Sequence, residues 1–228
     1  MIRKLEWDSD FFNLKIGEII YDSAANIGGT DDFDLLYVKS ATGFELKIPG
    51  FVNTFCEVKV VFAKTLKPVV ADGRNISPFE ETHAATGQLY GLAYESGRCS
   101  RFKLDKKLSN AKFEALYRKW VDNSVSKLFA DEVLVYSENN KIMGFVTYKA
   151  DAATATIGLI AVDPESQGKG IGGKLLRYTE QQLVNKNILT LLIPTQESNT
   201  AACNFYEKQQ YRIKETMHIK HYWKNDTI

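Results

Sequence analysis

Thr156–Gly173 reads TIGLIAVDPESQGKGIGG, a strand, a turn, a glycine-rich loop and a helix start in one short run. Ile157, Leu159, Ile160, Ala161 and Val162 carry no charge and suit a strand covered on both faces. Asp163 and Pro164 end it, because proline has no N–H to give to a ladder. Gln167, Gly168, Lys169, Gly170, Ile171, Gly172 and Gly173 follow. Glycines remove the Cβ atoms, so consecutive backbone N–H groups can converge on one small anion. Leu175, Leu176 and Leu183 mark a helix behind the loop, and the macrodipole favours negative charge at its start. The pattern points to a phosphate-bearing ligand; a glycine-rich turn that binds nothing is the plain alternative.

Three phosphate loops compete for these letters. Gly168, Gly173 and Lys174 match most of the P-loop spacing, but Leu175 stands where a magnesium-binding Ser or Thr belongs. Gly168, Gly170 and Gly173 also satisfy GxGxxG. In a dinucleotide fold, however, the first glycine follows the strand directly and the next strand ends in an acidic residue. Here Asp163–Gln167 intervene, and the next strand, Leu189–Ile193, ends in Pro194, Thr195 and Gln196. The third loop, Q/R-x-x-G-x-G/A, is met by Gln167, Gly170 and Gly172, and here the chain resembles the GNAT acyl-CoA N-acyltransferases.

Composition narrows the field. A chain of 228 residues, 44% hydrophobic, holds one large or two small globular domains. With 29 basic against 28 acidic side chains, nothing supports a nucleic-acid or membrane-surface partner. Cys56, Cys99 and Cys203 are an odd set without CxxC spacing, which indicates neither a disulfide framework nor a zinc site. His83, His218 and His221 make no metal case, since His218 and His221 are three apart in a strand-like segment and point to opposite faces. MIRKLEWDSDFF lacks the apolar core of a signal peptide, and no run is long enough to span a membrane. A reducing cytoplasm is expected.

Residues 1–70 read as a smaller α/β domain, with strands at Ile16–Tyr21, Phe33–Val38 and Val52–Lys64 and a turn-rich Asp22–Asp32 segment. It has no glycine loop, so packing or homodimerisation is its expected role. Residues 71–228 form the second domain. A short strand near Ile76–Pro78 precedes a helix from about Thr82, then the GRCSRF loop, Gly97–Phe102. Phe113, Leu116, Tyr117, Trp120, Val121, Leu128 and Phe129 follow helical spacing. Val133–Tyr136 and Ile142–Tyr148 make a hairpin, extended by Ala155–Val162 into a meander that leads to the loop. The helix Lys174–Asn185 crosses over to a parallel strand, Leu189–Ile193. Ser198 or Asn199 caps a last helix, Thr200–Lys208, whose Asn199, Ala202, Cys203 and Tyr206 share one thin face.

Asn199–Tyr206, NTAACNFY, is similar to the closing GNAT motif, in which an Asn contacts coenzyme A and a Tyr faces its sulfur. LEWDSDFF (Leu5–Phe12), SRF (Ser100–Phe102), Trp120–Val125, IGLIAV, QGKGIG, TQESNTAA (Thr195–Ala202) and Tyr206 narrow the resemblance to the dTDP-fucosamine acetyltransferases. These acetylate a dTDP-4-amino-4,6-dideoxyhexose. The resemblance implies an α/β GNAT fold, a mixed and mostly antiparallel sheet flanked by helices, with acetyl-CoA as cosubstrate and no metal. Amides of Gln167–Gly173 would hold the pyrophosphate, and free backbone groups near Ile160 and Val162 would pair with pantetheine like an added strand. Tyr206, whose phenol titrates near ~10 when unperturbed, would be the general acid. Arg101, in the SRF loop, is the candidate for a nucleotide phosphate, with a surface arginine as the plain alternative. No side chain stands out as general base. Gln210 departs from the family pattern, where a glycine usually ends the helix. A left-handed non-glycine residue costs roughly 1 kcal/mol, which predicts a different helix end and a shifted Tyr206. Two alternatives stay open: transfer to an amino acid, polyamine or protein amine, and a non-catalytic coenzyme A-binding module, against which intact Asn199 and Tyr206 argue.

Overall fold

The computed structural model describes residues 2–22, 27–82 and 84–225; His83 and part of the Asp22–Asp32 turn lie outside them. In chain order the elements are β1 (Arg3–Lys4), α1 (Glu6–Phe12), β2 (Ile16–Ile20), β3 (Leu35–Ser40), β4 (Phe51–Thr65), β5 (Ile76–Pro78), α2 (Gly87–Ser96), α3 (Arg101–Leu104) and α4 (Asn110–Val125). There follow β6 (Glu132–Glu138), β7 (Lys141–Asp151), β8 (Thr154–Val162), α5 (Ile171–Asn185), β9 (Thr190–Gln196), α6 (Thr200–Lys208) and β10 (Arg212–Lys224). All the strands join one sheet, ordered β1-β2-β3-β10-β4-β9-β8-β7-β6-β5. Only β2–β3 and β8–β9 are parallel, so the sheet is mixed and mostly antiparallel, as expected. A boundary near residue 70 falls in the connection between β4 and β5. The sheet runs across it, because β4 pairs with β10 on one side and β9 on the other.

Helices cover both faces. On one, Phe12, Leu89, Phe102, Phe113 and Leu116 of α1–α4 pack on Val133, Val135, Phe145, Leu159 and Ala161. On the other, Leu175, Leu176, Leu183 and Tyr206 of α5 and α6 pack on Phe62, Val146, Ala155, Ile157 and Ile193. A regular strand would send Ala155, Ile157, Leu159 and Ala161 to the same side. A bulge redistributes them. Val146 opposes Ile160 but Tyr148 opposes Ile157, so β8 holds one extra residue around Gly158 and Leu159. The displaced Leu159 N–H donates to Thr147 Oγ1 at 2.9 Å, which satisfies the buried amide.

Several ends differ from the sequence expectation. The helix α2 begins at Gly87, not Thr82, because Thr82 N–H and Oγ1 both donate to the Phe79 carbonyl and close a separate short turn. The helix α4 stops at Val125, before Leu128 and Phe129, where left-handed Lys127 turns the chain and Leu128 N–H donates to the Asn123 carbonyl. Pro194 lies inside β9, which continues to Gln196. It is tolerated because β8 pairs with β9 only as far as Leu192, leaving one edge of β9 open beyond it.

Gln210 is left-handed (φ 67°), and the helix ends as a glycine would have ended it. Gln210 N–H donates to Glu207 O at 2.9 Å and Tyr211 N–H to Tyr206 O at 3.0 Å. That pair of bonds is a Schellman cap and fixes Tyr206 in the last turn. The strain is borne by the backbone instead of by a shift of Tyr206. Gln210→Gly is therefore expected to stabilise the protein by about 0.5–1 kcal/mol, left-handed relief less the added chain entropy. A urea titration reads this as a higher midpoint at unchanged slope; an unchanged midpoint would mean the strain is absorbed elsewhere.

Buried Asp105, between α3 and α4, ties α3 to β10. It accepts from His221 Nδ1 at 2.6 Å, Trp223 Nε1 at 3.0 Å and, at Oδ1, Lys107 N at 3.1 Å. Burial pushes the His221 pKa down, so a neutral imidazole donates to a carboxylate.

Candidate active site

Parallel β8 and β9 are hydrogen-bonded only from Thr154–Thr190 to Thr156–Leu192. Beyond that point β9 stays with β4 as far as Gln196 opposite Lys59, while β8 stays with β7 as far as Val162 opposite Gly144. The two strands splay, and a cavity of about 800 Å³ opens between them. It passes through the sheet. On the α5/α6 face it is lined by the glycine loop, Asn199, Phe205 and Tyr206; on the α1–α4 face by Glu57, Lys59, Arg101, Phe102, Tyr117 and Trp120.

Each residue singled out in the sequence can now be placed. Ile160, Val162, Gln167, Gly168, Gly170, Ile171, Gly172, Gly173, Asn199, Tyr206 and Arg101 all line this one cavity; Lys169 is exposed on the loop and does not. Gly168 and Gly170 are left-handed (φ 77° and 81°), and Gly170 is the N-cap residue of α5. A Cβ at either would meet no protein atom within 4 Å, so the space over the loop is open to a ligand. Gln167 Nε2 donates to Val162 O at 3.1 Å, fastening the loop to the end of β8. Asn199 Oδ1 accepts from Ala202 N and caps α6, leaving the amide nitrogen to the cavity. Tyr206 packs among Phe62, Phe205 and Tyr211, and burial pushes its phenol above the ordinary value.

The comparisons with known proteins bear on this cleft. Residues 93–211, from α2 to the start of β10 and including the loop, match the acetyltransferase (GNAT) family model. The chain belongs to the GNAT acetyltransferase family. Its curated relatives include the spore coat polysaccharide biosynthesis protein SpsD of Bacillus subtilis, 25% identical over 132 residues, 58% of this chain and 45% of that protein. The ribosomal protein bS18-alanine N-acetyltransferase of Escherichia coli K12 is 34% identical over 71 residues, 31% of this chain and 48% of that one. This chain thus spans about half the length of the curated relatives it matches. Among solved structures, a GNAT-family protein from Novosphingobium aromaticivorans superposes with a TM-score of 0.58 at 13% identity, covering 87% of this chain and 77% of that one. The PaiA N-acetyltransferase of Thermoplasma acidophilum, in complex with coenzyme A, gives 0.50 at 21%, covering 64% and 96%. At such identities the likeness is one of fold.

On the acceptor side of this GNAT cleft the sequence pointed to Arg101 but missed Glu57 and Lys59. The Glu57 side chain is 5% exposed; Oε1 meets Arg101 Nη1 at 3.5 Å and Oε2 has no partner among the described residues. Burial raises its carboxyl pKa, and the Arg101 guanidinium beside it pulls back only in part. Arg101 itself is no surface arginine. Its guanidinium carbon lies 4.9 Å from the Tyr37 ring centroid and 4.7 Å from that of Phe102. Glu57 and Lys59 carried one usable signal: two charges at i, i+2 among the apolar positions of a long strand, hence one polar spot on a face meant for packing.

Proposed function

We propose that the protein transfers an acetyl group from acetyl-CoA to the amine of a nucleotide-linked amino sugar of the dTDP-4-amino-4,6-dideoxyhexose type. The observation that carries the reading is the cavity through the splayed sheet, with a phosphate-ready loop at one mouth and a buried carboxylate at the other. Acetyl-CoA supplies the thioester. Amides of Gln167–Gly173 hold its pyrophosphate at the start of α5, and the edge of β8 near Ile160 and Val162, unpaired with β9 beyond Thr156, pairs with pantetheine, although Val162 O already accepts from Gln167 Nε2. Glu57 Oε2 takes a proton from the acceptor amine, Arg101 keeps that carboxylate in place, and the nitrogen attacks the carbonyl. Tyr206 then gives its proton to the departing sulfur. Phe102, Tyr117 and Trp120 line the acceptor side of the cavity, and half-buried Trp120 is the aromatic among them with surface left for a sugar ring. SpsD, named for polysaccharide biosynthesis, points the same way. No helix among the described residues is long and apolar enough to cross a membrane; a cytoplasmic setting completes the reading, with homodimerisation through the first 70 residues as its quaternary counterpart.

Thiol release from acetyl-CoA, measured with dTDP-linked 4-amino sugars beside a peptide with an N-terminal alanine, is the direct test. Turnover is expected with a sugar nucleotide and not with the peptide. The reverse would move the acceptor to protein amines, as in the bS18 enzymes, and release with neither would sink the amino-sugar reading.

The loop has its own prediction. In Gly170→Val a β-branched residue must hold a left-handed φ, a strain of about 1–2 kcal/mol, and it adds carbon atoms to the anion's space. Acetyl-CoA affinity is expected to fall roughly 5–30-fold. Unchanged binding to the folded variant would take the pyrophosphate away from this loop.

A further inference from the structure

The α1–α4 mouth of the cavity holds three cations, Lys59, Arg98 and Arg101, and two carboxylates, Glu57 and Glu95. Each arginine has a carboxylate partner: Arg98 Nη1 lies 3.2 Å from Glu95 and Arg101 Nη1 lies 3.5 Å from Glu57, with Arg101 Nε left unpaired among the described residues. Lys59 makes no ion pair or hydrogen bond among the described residues, although it projects from the centre of the sheet, on β4 between Gln196 of β9 and Met217 of β10. It stands two residues from Glu57 and so on the same face. Burial is the main cause that pushes its pKa down; the charges of Arg101 and Lys39 add to the shift, and those of Glu57 and Glu215 oppose it. A half-buried cation without a counter-ion is costly unless a ligand brings one. An anion held by the glycine loop does not serve as that counter-ion, since the loop lines the cavity on the α5/α6 face of the sheet.

We propose that Lys59 is an anion-binding residue of the acceptor mouth, taking a phosphate of an acceptor whose amine is carried on a nucleoside diphosphate. This rests on the amino-sugar reading of the same cavity and adds the contact that separates a nucleotide-linked sugar from a free one. The ammonium is a compact point charge with three donors, suited to a phosphate oxygen reached at the end of a flexible stem.

Two measurements test it, one of them independent of turnover. Acetylation is compared for a dTDP-linked 4-amino-4,6-dideoxyhexose and for the neutral methyl glycoside of the same sugar. In Lys59→Met the ratio of kcat/KM for the first over the second is expected to fall roughly ten- to a hundredfold, and in Lys59→Arg to fall much less. A ratio that stays at the wild-type value overturns the proposal. Inorganic pyrophosphate is also titrated calorimetrically into the protein with the loop already saturated by coenzyme A. Heat of binding in the wild type that is lost in Lys59→Met supports the site. Absence of binding, or equal binding to both, removes it. If no amino sugar is acetylated and pyrophosphate binding still depends on Lys59, the anion site stands while the substrate reading falls.

Discussion

Glu57→Gln is expected to lower kcat by roughly 10²–10⁴-fold, the usual yield of a positioned proton acceptor. The substitution keeps the side chain's shape and leaves an oxygen to accept from Arg101, which now meets Glu57 Oε1 at 3.5 Å. What it removes is the capacity to carry the amine's proton. The pH profile separates this from a packing defect. Burial sets the Glu57 pKa above the ordinary carboxylate range, with Arg101 offsetting part of the shift. As the pH falls through that raised value the carboxylate becomes an acid, so kcat/KM should drop along an acid limb belonging to the free enzyme. In Glu57→Gln that limb should vanish, leaving only the titration of the acceptor amine. The KM for acetyl-CoA should hardly change, because the carboxylate lies at the opposite mouth. A variant with near-wild-type rate and an unchanged limb would send the proton out through water.

The parts of this site that were legible in the sequence are those where one residue type meets a hard backbone demand. Gly168 and Gly170 need positive φ, and the loop they build is local, so strand, loop and helix can be read in one pass. The face shared by Asn199 and Tyr206 follows from helical spacing alone, and the Asn199 cap confirms the helix start. What stayed hidden is non-local. Glu57 and Arg101 are 44 residues apart and come together only because β4 enters the centre of the sheet, a placement fixed by its pairing with β9 and β10. The pairing itself leaves no mark within either segment; the two charges at Glu57 and Lys59 flag a polar spot on β4 but not its partner. The bulge was equally silent. IGLIAV reads as a uniform apolar run, yet the extra residue at Gly158 decides which of its side chains face α5 and which face α2–α4. Helix ends failed for the same reason. Leu128 and Phe129 kept the apolar period of α4 after the backbone had already turned at Lys127.

Tyr206→Phe keeps the ring among Phe62, Phe205 and Tyr211 and deletes a single hydroxyl. If that hydroxyl protonates the departing sulfur, kcat falls by roughly 10²–10⁴-fold while acetyl-CoA affinity barely moves, since the group acts in the transition state. Its raised pKa looks at first like an obstacle, for a weaker acid gives up its proton less readily. The cause of the shift removes the difficulty. Desolvation is the largest contribution at Tyr206, and a thiolate released beside it would be desolvated too, so both conjugate bases are penalised and the difference between them decides the transfer. Burial also keeps the phenol fully protonated at neutral pH, ready for each turnover. The helix end supports the geometry, because the Tyr211 N–H to Tyr206 O bond holds the last turn of α6 while the side chain faces the cavity. Two other results are distinguishable by steady-state kinetics on the folded variant. A raised KM with kcat nearly intact would make the hydroxyl a ground-state contact of the thioester. Kinetics matching the wild type would make Tyr206 a packing residue and leave the sulfur to depart unassisted.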